Sequence, residues 1–204
     1  MVTKIDLKKQ LKDLYGTTKA NGFVVVDVPE MNFLMVDGEG NPNTAQSFRD
    51  AIEALYALSY ALKFMIKKGA AIDYGVMPLE ALWWADRTAD FTTGNKDNWK
   101  WTAMIMQPEW VAADLVDKAR VETARKKELP SLADVRFQAL NEGKSAQCLY
   151  LGRYADEAQT IEKLHQFISD DGARLRGRHH EIYLSDARRT DPAKLKTIIR
   201  QPMG

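Results

Sequence analysis

His179-His180-Glu181-Ile182-Tyr183-Leu184-Ser185-Asp186 is the stretch that decides how this chain is read. It alternates as a strand does. Ile182 and Leu184 point one way, Glu181 and Tyr183 the other. A carboxylate beside an aromatic, backed by aliphatics, suits a sheet with a core on one side and a cleft on the other. Taken alone, the pattern also fits an ordinary half-exposed strand with a solvated Glu.

The surrounding chain has 204 residues, enough for one large domain or two small ones. Hydrophobic residues make up 45% and charged residues 28%, the balance of a soluble globular protein. The net charge of +1 gives no global field, so neither nucleic acid nor an anionic membrane is an expected partner. The lone Cys148 excludes an internal disulfide framework and a Cys-based zinc site. It sits in the apolar run Ala146 to Leu151 and is expected to be a buried thiol. Met1 to Lys12 is charged and lacks the apolar stretch of a signal peptide. No apolar run reaches the roughly 18 residues of a membrane span, so a cytoplasmic protein is the expectation. The unusual number is five Trp, all between Trp83 and Trp110.

In chain order, Lys4 to Tyr15 reads as a short amphipathic helix. Phe23 to Val28 and Met31 to Val36 read as strands on either side of Pro29. A turn at Asp37 to Pro42 precedes a long helix, Ser47 to Lys68, with Ser47 and Asp50 as a capping box and Gly69 as its end. Phe48, Ile52, Leu55, Ser59 and Leu62 form its core stripe. Arg49, Glu53, Tyr56, Tyr60, Lys63 and Lys67 form a second one. Ala71 to Met77 and Leu79 to Trp84 read as strand pieces joined at Pro78. Asp86 to Asn98 reads as a polar loop, and Trp99 to Gln107 as a strand. Helices are expected from Pro108 to Glu128 and from Ser131 to Asn141. Ala146 to Gly152 reads as a strand and Glu157 to Ser169 as a helix ending at Gly172. Asp191-Pro192 opens a last short helix that includes Ile198 and Ile199.

Strand, turn, helix and strand occur twice in this order, first around Ser47–Lys68 and again around Glu157–Ser169. That grammar suggests a duplicated unit. Two such units would share a sheet, with a cleft along the axis between them.

Several chemistries lack their motifs. There is no Gly-rich phosphate loop, no Gly-x-Ser-x-Gly elbow and no His-Glu-x-x-His helix. His179 and His180 are adjacent on a strand, point to opposite faces and cannot chelate one metal together, so structural or surface roles are expected. The arginines at 174, 176, 178, 188 and 189 read as a solvated face without the aromatics that nucleic-acid binding uses. No metal and no cofactor is expected. What remains is an aromatic cluster with one carboxylate. Trp83, Trp84, Trp99, Trp101 and Trp110 are more rings than a small core needs, and some of them suit a pocket for a flat, apolar or cationic ligand.

Four segments carry a resemblance: Met31 to Gly40, Met77 to Trp84, Trp99 to Pro108 and His179 to Pro202. Together they resemble the long, stand-alone GyrI-like proteins over nearly the whole chain. The resemblance implies an α+β fold of two βαββ (SH2-like) units around a pseudo-two-fold axis, as in the effector-binding domains of multidrug-responsive regulators. It implies a single domain over 1–204, with repeat one at about 23–107, a helical insertion at about 108–143 and repeat two at about 145–203. With no helix-turn-helix in front of the domain, a regulator is not expected. The resemblance also implies a hydrolase that opens the cyclopropane of cyclopropanoid DNA-alkylating compounds with water, a detoxification role. The family's pocket carboxylate falls on Glu181 and its neighbouring aromatic on Tyr183. The aromatic walls fall on Tyr60, Trp83, Trp84 and Trp101. Ala81 stands where the family pattern has Gly, and Arg153 and Ala187 stand where it has Pro.

The expected mechanism follows from these positions. Glu181 is the general base or water-positioner, with burial raising its pKa toward neutrality. Tyr183, with Tyr60, holds the water or donates to the developing charge. The partner is a hydrophobic planar small molecule, and the protein is a monomer or a homodimer. A non-catalytic protein that sequesters hydrophobic or cationic drugs is the alternative, with Glu181 as counter-charge.

Overall fold

The computed structural model describes residues 1–86 and 96–204. The loop expected at Asp86 to Asn98 therefore lies largely outside the described residues. In chain order the main elements are β1 (Thr3–Ile5), α1 (Leu7–Gln10), α2 (Lys12–Tyr15), β2 (Val24–Val28), β3 (Met31–Glu39), α3 (Gln46–Ala70), β4 (Ile72–Tyr74), β5 (Leu79–Trp84), β6 (Lys100–Gln107), α4 (Ala113–Lys126), β7 (Arg136–Leu140), β8 (Gly143–Leu151), α5 (Ala158–Asp170), β9 (His179–Tyr183) and β10 (Lys196–Pro202). The chain falls into two units, Met1–Gln10 with Met31–Leu140, and Leu11–Glu30 with Asn141–Gly204.

In the first unit the strand order is β5-β6-β3-β7, all antiparallel. α3 covers one face because its buried positions, among them Phe48, Leu55, Leu58 and Leu62, recur at helical spacing. Its N-cap is Ala45, not Ser47, and no side chain caps it. The helix also runs past Gly69, and Ala71 takes the left-handed turn at φ 54°. Trp101 lies under Phe48 with ring centroids 4.9 Å apart in an edge-on contact. Gly38, opposite Trp101 in the β3–β6 register, makes room for that ring, since a Cβ there would lie 2.2 Å from it. β1 pairs with β4 in a separate parallel ladder.

In the second unit the order is β9-β10-β8-β2, again antiparallel. α5 seals one face through Leu164 and Ile168, which pack with Ala146, Cys148, Ile199 and Met203. Cys148 is buried, and burial pushes its thiol up to about 12. Phe23 stacks on Phe167 at 5.7 Å. The element order within each unit is strand, helix, strand, strand, and the spatial order is second, third, first, with β7 or β2 added at the end. This is the antiparallel α+β architecture expected from the sequence.

Four local expectations are corrected. Ser131 to Asn141 is not a helix: a single turn at Pro130–Leu132 is followed by β7, which pairs with β3 and alternates Arg136, Phe137, Gln138. Ile198 and Ile199 lie in β10, paired on both sides, because the turn opened by Asp191-Pro192 stops at Lys194. Lys4 to Tyr15 is not one helix but β1 followed by two single turns, since Thr3 to Ile5 finds a strand partner in Ile72 to Tyr74. Val24–Val28 pairs with β8, so this strand is built into the second unit, not the first.

Candidate active site

β9 has both faces buried. Across the ladder Glu181 sits opposite Ile199 and Tyr183 opposite Thr197. Opposed residues in an antiparallel pair share a face. Ile199 packs under α5, so Glu181 also points to the helix-covered side. The expected division into an aliphatic core and an open cleft is therefore replaced by two closed faces.

On the α5 side, Glu181 is the centre of a polar cluster. Tyr183 Oη donates to Glu181 Oε2 at 2.7 Å, and His179 Nε2 lies 3.2 Å from Glu181 Oε1. Glu157, the residue that leads into α5, is buried as well and helps to hold the Glu181 carboxyl down. Tyr154 sets its ring edge-on to Tyr183 at 5.5 Å. Burial pushes the Glu181 carboxyl up, but the hydrogen bond and charge of His179, with Tyr183 and Glu157, outweigh it. The net direction is down, against the upward shift expected from burial alone. The Glu181 carboxyl is thus held below the ordinary glutamate range in a closed setting. Tyr154 shifts the other way: burial and then the nearby carboxylates, Glu181 first, push its phenol up to about 12. His165 of α5 is held below the ordinary histidine range by burial and by the charge of His179.

The opposite face carries a second buried set. Arg200 donates to Glu142 Oε2 at 3.1 Å, to Gln147 Oε1 at 2.9 Å and to the Leu14 carbonyl at 2.9 Å. His180 Nδ1 lies 3.0 Å from both oxygens of Glu142. Burial would raise Glu142, but His180 and Arg200 bring it down to about 2. This set joins the segment around α2 to β8 and β10 within the second unit. His179 and His180 thus go to different faces and different carboxylates, as adjacent strand residues must.

The candidate aromatics belong to the first unit. Trp83 faces Trp101 across β5 and β6, and both rings touch Phe48. They are 4% and 1% exposed, so they are walled in by α3. Trp84 is adjacent to Trp83 and points to the other face, opposite Lys100. Tyr60 is 47% exposed and stacks between Tyr56 and Phe64 at 6.4 and 6.3 Å. At about 1.5 Å rise per residue, Tyr60 lies roughly 18 Å along α3 from Phe48. Trp83 and Trp101 thus form one group, with Tyr60 and Trp84 each apart from it. Ala81 is fully buried opposite Ala103. A surface recess of about 360 Å³ in the same unit, lined by residues such as Leu7, Lys63, Asp73 and Met77, contains none of the candidate residues. Among the described residues no helix is long and apolar enough to cross a membrane, and no group of His, Cys, Asp and Glu is arranged to hold a metal ion.

Residues 23–202 match the model of the GyrI-like small-molecule-binding domain. The chain belongs to the GyrI-like family. An uncharacterised conserved protein of Listeria innocua is 35% identical, with a TM-score of 0.89 over 98% of this chain and 100% of its own. A hydrolase of Listeria innocua is 34% identical, with a TM-score of 0.88 over 99% of this chain and 100% of its own. The C-terminal domain of EcmrR, at 14% identity and a TM-score of 0.56 over 89% of this chain and 96% of its own, shares the fold. No functionally curated protein matches the chain.

Sequence reasoning missed His179, Glu157 and Tyr154. His179 was within reach, because residues two apart on a strand share a face. Glu157 and Tyr154 come from a separate segment, and no spacing connects them to β9.

Proposed function

We propose that this GyrI-like protein is a hydrolase that opens the cyclopropane of flat, electron-poor cyclopropanoid compounds of the DNA-alkylating kind with water. The observation that carries this reading is the buried Glu181, held at one oxygen by Tyr183 and at the other by His179. Two neighbours of about one-third identity described as hydrolases support the reaction class, and the family match supports a small-molecule ligand.

In the proposed step the water oxygen bonds to the ring CH₂ carbon, and the cyclopropane C–C bond breaks. Its electron pair runs to the conjugated carbonyl oxygen. One water proton passes to Glu181 and is returned to that oxygen, so the protein ends as it began. A carboxylate held low is a weak base but is always ready at neutral pH. Its task is to fix the water, while ring strain supplies much of the drive. Tyr183 orients Glu181 by donating its hydroxyl proton to Oε2. Tyr60, whose ring is exposed, is the candidate aromatic of the first unit that a flat ligand can reach. Trp83 and Trp101 fill the core under α3, and Trp84 lies on the other strand face.

A buried carboxylate also suits the second reading, a binding protein for cationic hydrophobic drugs. Glu181→Gln separates the two. The hydrolase loses roughly 10²–10⁴-fold in turnover while still binding the neutral substrate. The drug binder loses roughly 2 kcal/mol or more of cation affinity and shows no turnover in either form. Full hydrolysis by the Gln variant would remove Glu181 from the mechanism.

A further inference from the structure

The recess of about 360 Å³ in the first unit takes no part in the mechanism above. It opens where a ladder ends. β1 and β4 run parallel, and their last pair is Ile5 with Tyr74. Parallel strands are not joined by a tight turn, so the two chains leave this end separately. β1 runs into α1, and β4 continues through Gly75 and Val76 toward β5. The recess lies between these exits, and Lys63 of α3 also lines it. Its apolar lining includes the buried Leu7, Tyr74 and Met77. Its charges do not cancel. Asp6 and Asp73 each meet a lysine from outside the lining, Lys9 at 3.8 Å and Lys67 at 2.7 Å. Lys63 makes a longer contact to Asp73, 3.4 Å, and keeps N–H donors to spare. Lys4 and Lys8, also in the lining, form no ion pair among the described residues. The Tyr74 hydroxyl is buried and has no hydrogen-bond partner among the described residues. Burial pushes its pKa up, so at neutral pH it keeps a proton to donate.

We propose that this recess is a second ligand site, for a small organic acid with an apolar body. The carboxylate takes hydrogen bonds from Lys63 and Tyr74, Lys4 and Lys8 add positive charge at the rim, and the apolar part lies on Leu7 and Met77. A carboxylate suits this place because its two oxygens accept from an ammonium and a hydroxyl at once. A cation is disfavoured, because the acids of the lining already have their lysines. The lining residues all belong to the first unit and Glu181 to the second, so the inference goes beyond the hydrolase reading and does not depend on it.

The test is NMR of the full chain, ¹³C-labelled in its methionine methyl groups and titrated with octanoate, octanamide and octylammonium. These share one chain length and differ in charge. Met77→Leu identifies the Met77 signal. Octanoate is expected to shift that signal saturably, and octanamide and octylammonium to bind about tenfold more weakly or worse. Lys63→Met keeps the apolar stem and removes the charge, and Tyr74→Phe removes only the hydroxyl. Each is expected to weaken octanoate about tenfold. Glu181→Gln leaves octanoate affinity unchanged. The proposal is overturned if octanoate leaves the Met77 signal in place, if octylammonium binds as tightly as octanoate, or if Lys63→Met or Tyr74→Phe keeps the wild-type affinity. Loss of octanoate binding in Glu181→Gln also overturns it, since the acid would then sit at the candidate active site. The ligand series is read on the wild-type chain, so the test stands even where a variant does not fold.

Discussion

β5 of the first unit and β9 of the second hold the same place in their strand orders, each paired to the strand that follows it, β6 or β10. Their helix-covered faces differ completely. Under α3 lie Ala81, Trp83 and Trp101, carbon packed on carbon with Phe48 above. On the α5 side of β9 lie His179, Glu181 and Tyr183, bonded through the two oxygens of the carboxyl. One scaffold thus supports an apolar filling in one unit and a proton-bearing one in the other. The difference teaches that the βαββ plan fixes where side chains meet, while strand residues two apart decide what chemistry happens there.

Trp101→Ala tests the apolar side and has the largest expected effect on stability. It removes a ring that is 1% exposed, at a cost of about 3–5 kcal/mol. Denaturant unfolding should show this loss, and a change below about 1 kcal/mol would mean the ring is not a core element. Next comes the buried ion set of the second unit. Glu142→Gln leaves Arg200 and His180 without their carboxylate, at about 3–5 kcal/mol. The sign of its pH dependence follows from the lowered pKa. A carboxyl that titrates at about 2 when folded and at 4.5 when unfolded adds stability above 4.5, which is lost as pH falls toward 2. Wild type should therefore lose about 3 kcal/mol more than Glu142→Gln across that window. Equal acid profiles would break the assignment.

Tyr183→Phe probes the ionised centre and should have a smaller effect. It deletes a 2.7 Å bond to Glu181, lowers turnover about 10-fold and moves the acid limb of the rate profile to higher pH. That direction follows because the lost donor favoured the charged carboxyl. An acid limb that stays in place would show that Tyr183 does not hold Glu181 ionised. Tyr60→Ala should have the smallest effect on stability, within about 0.5 kcal/mol, because the ring is exposed, while weakening binding of a flat ligand. Unchanged affinity by fluorescence titration would show that Tyr60 does not touch the ligand.

Much of this was legible in the sequence. α3 and α5 stand out by their apolar spacing, and β3, β5, β6, β8 and β9 by alternation or β-branched runs. Glu181 and Tyr183 were legible as one-face neighbours. The sign of the Glu181 shift was not, since it depends first on how His179 meets the carboxyl. β7 was misread because Ser131 to Asn141 has enough apolar residues to fit a helix, and its pairing with β3 is settled only by the fold. Arg200 could not be read as buried. Its partner Glu142 lies far away in the chain, and only a strand closed on both faces brings the two together.

β2 has one further consequence, for the order in which the chain can be finished. Val28 pairs with Gly143 and Val24 with Gln147, so a strand made early has its partner made late. Translation at about 5–20 residues per second leaves β2 without its ladder for roughly ten seconds. The Leu14 carbonyl waits longer still for Arg200. During that interval the first unit's main segment, Met31–Leu140, is already complete on the ribosome. The unit that carries Glu181 is therefore the last to form. A nascent chain cut short before Arg200 would hold the aromatic half without a finished acid site.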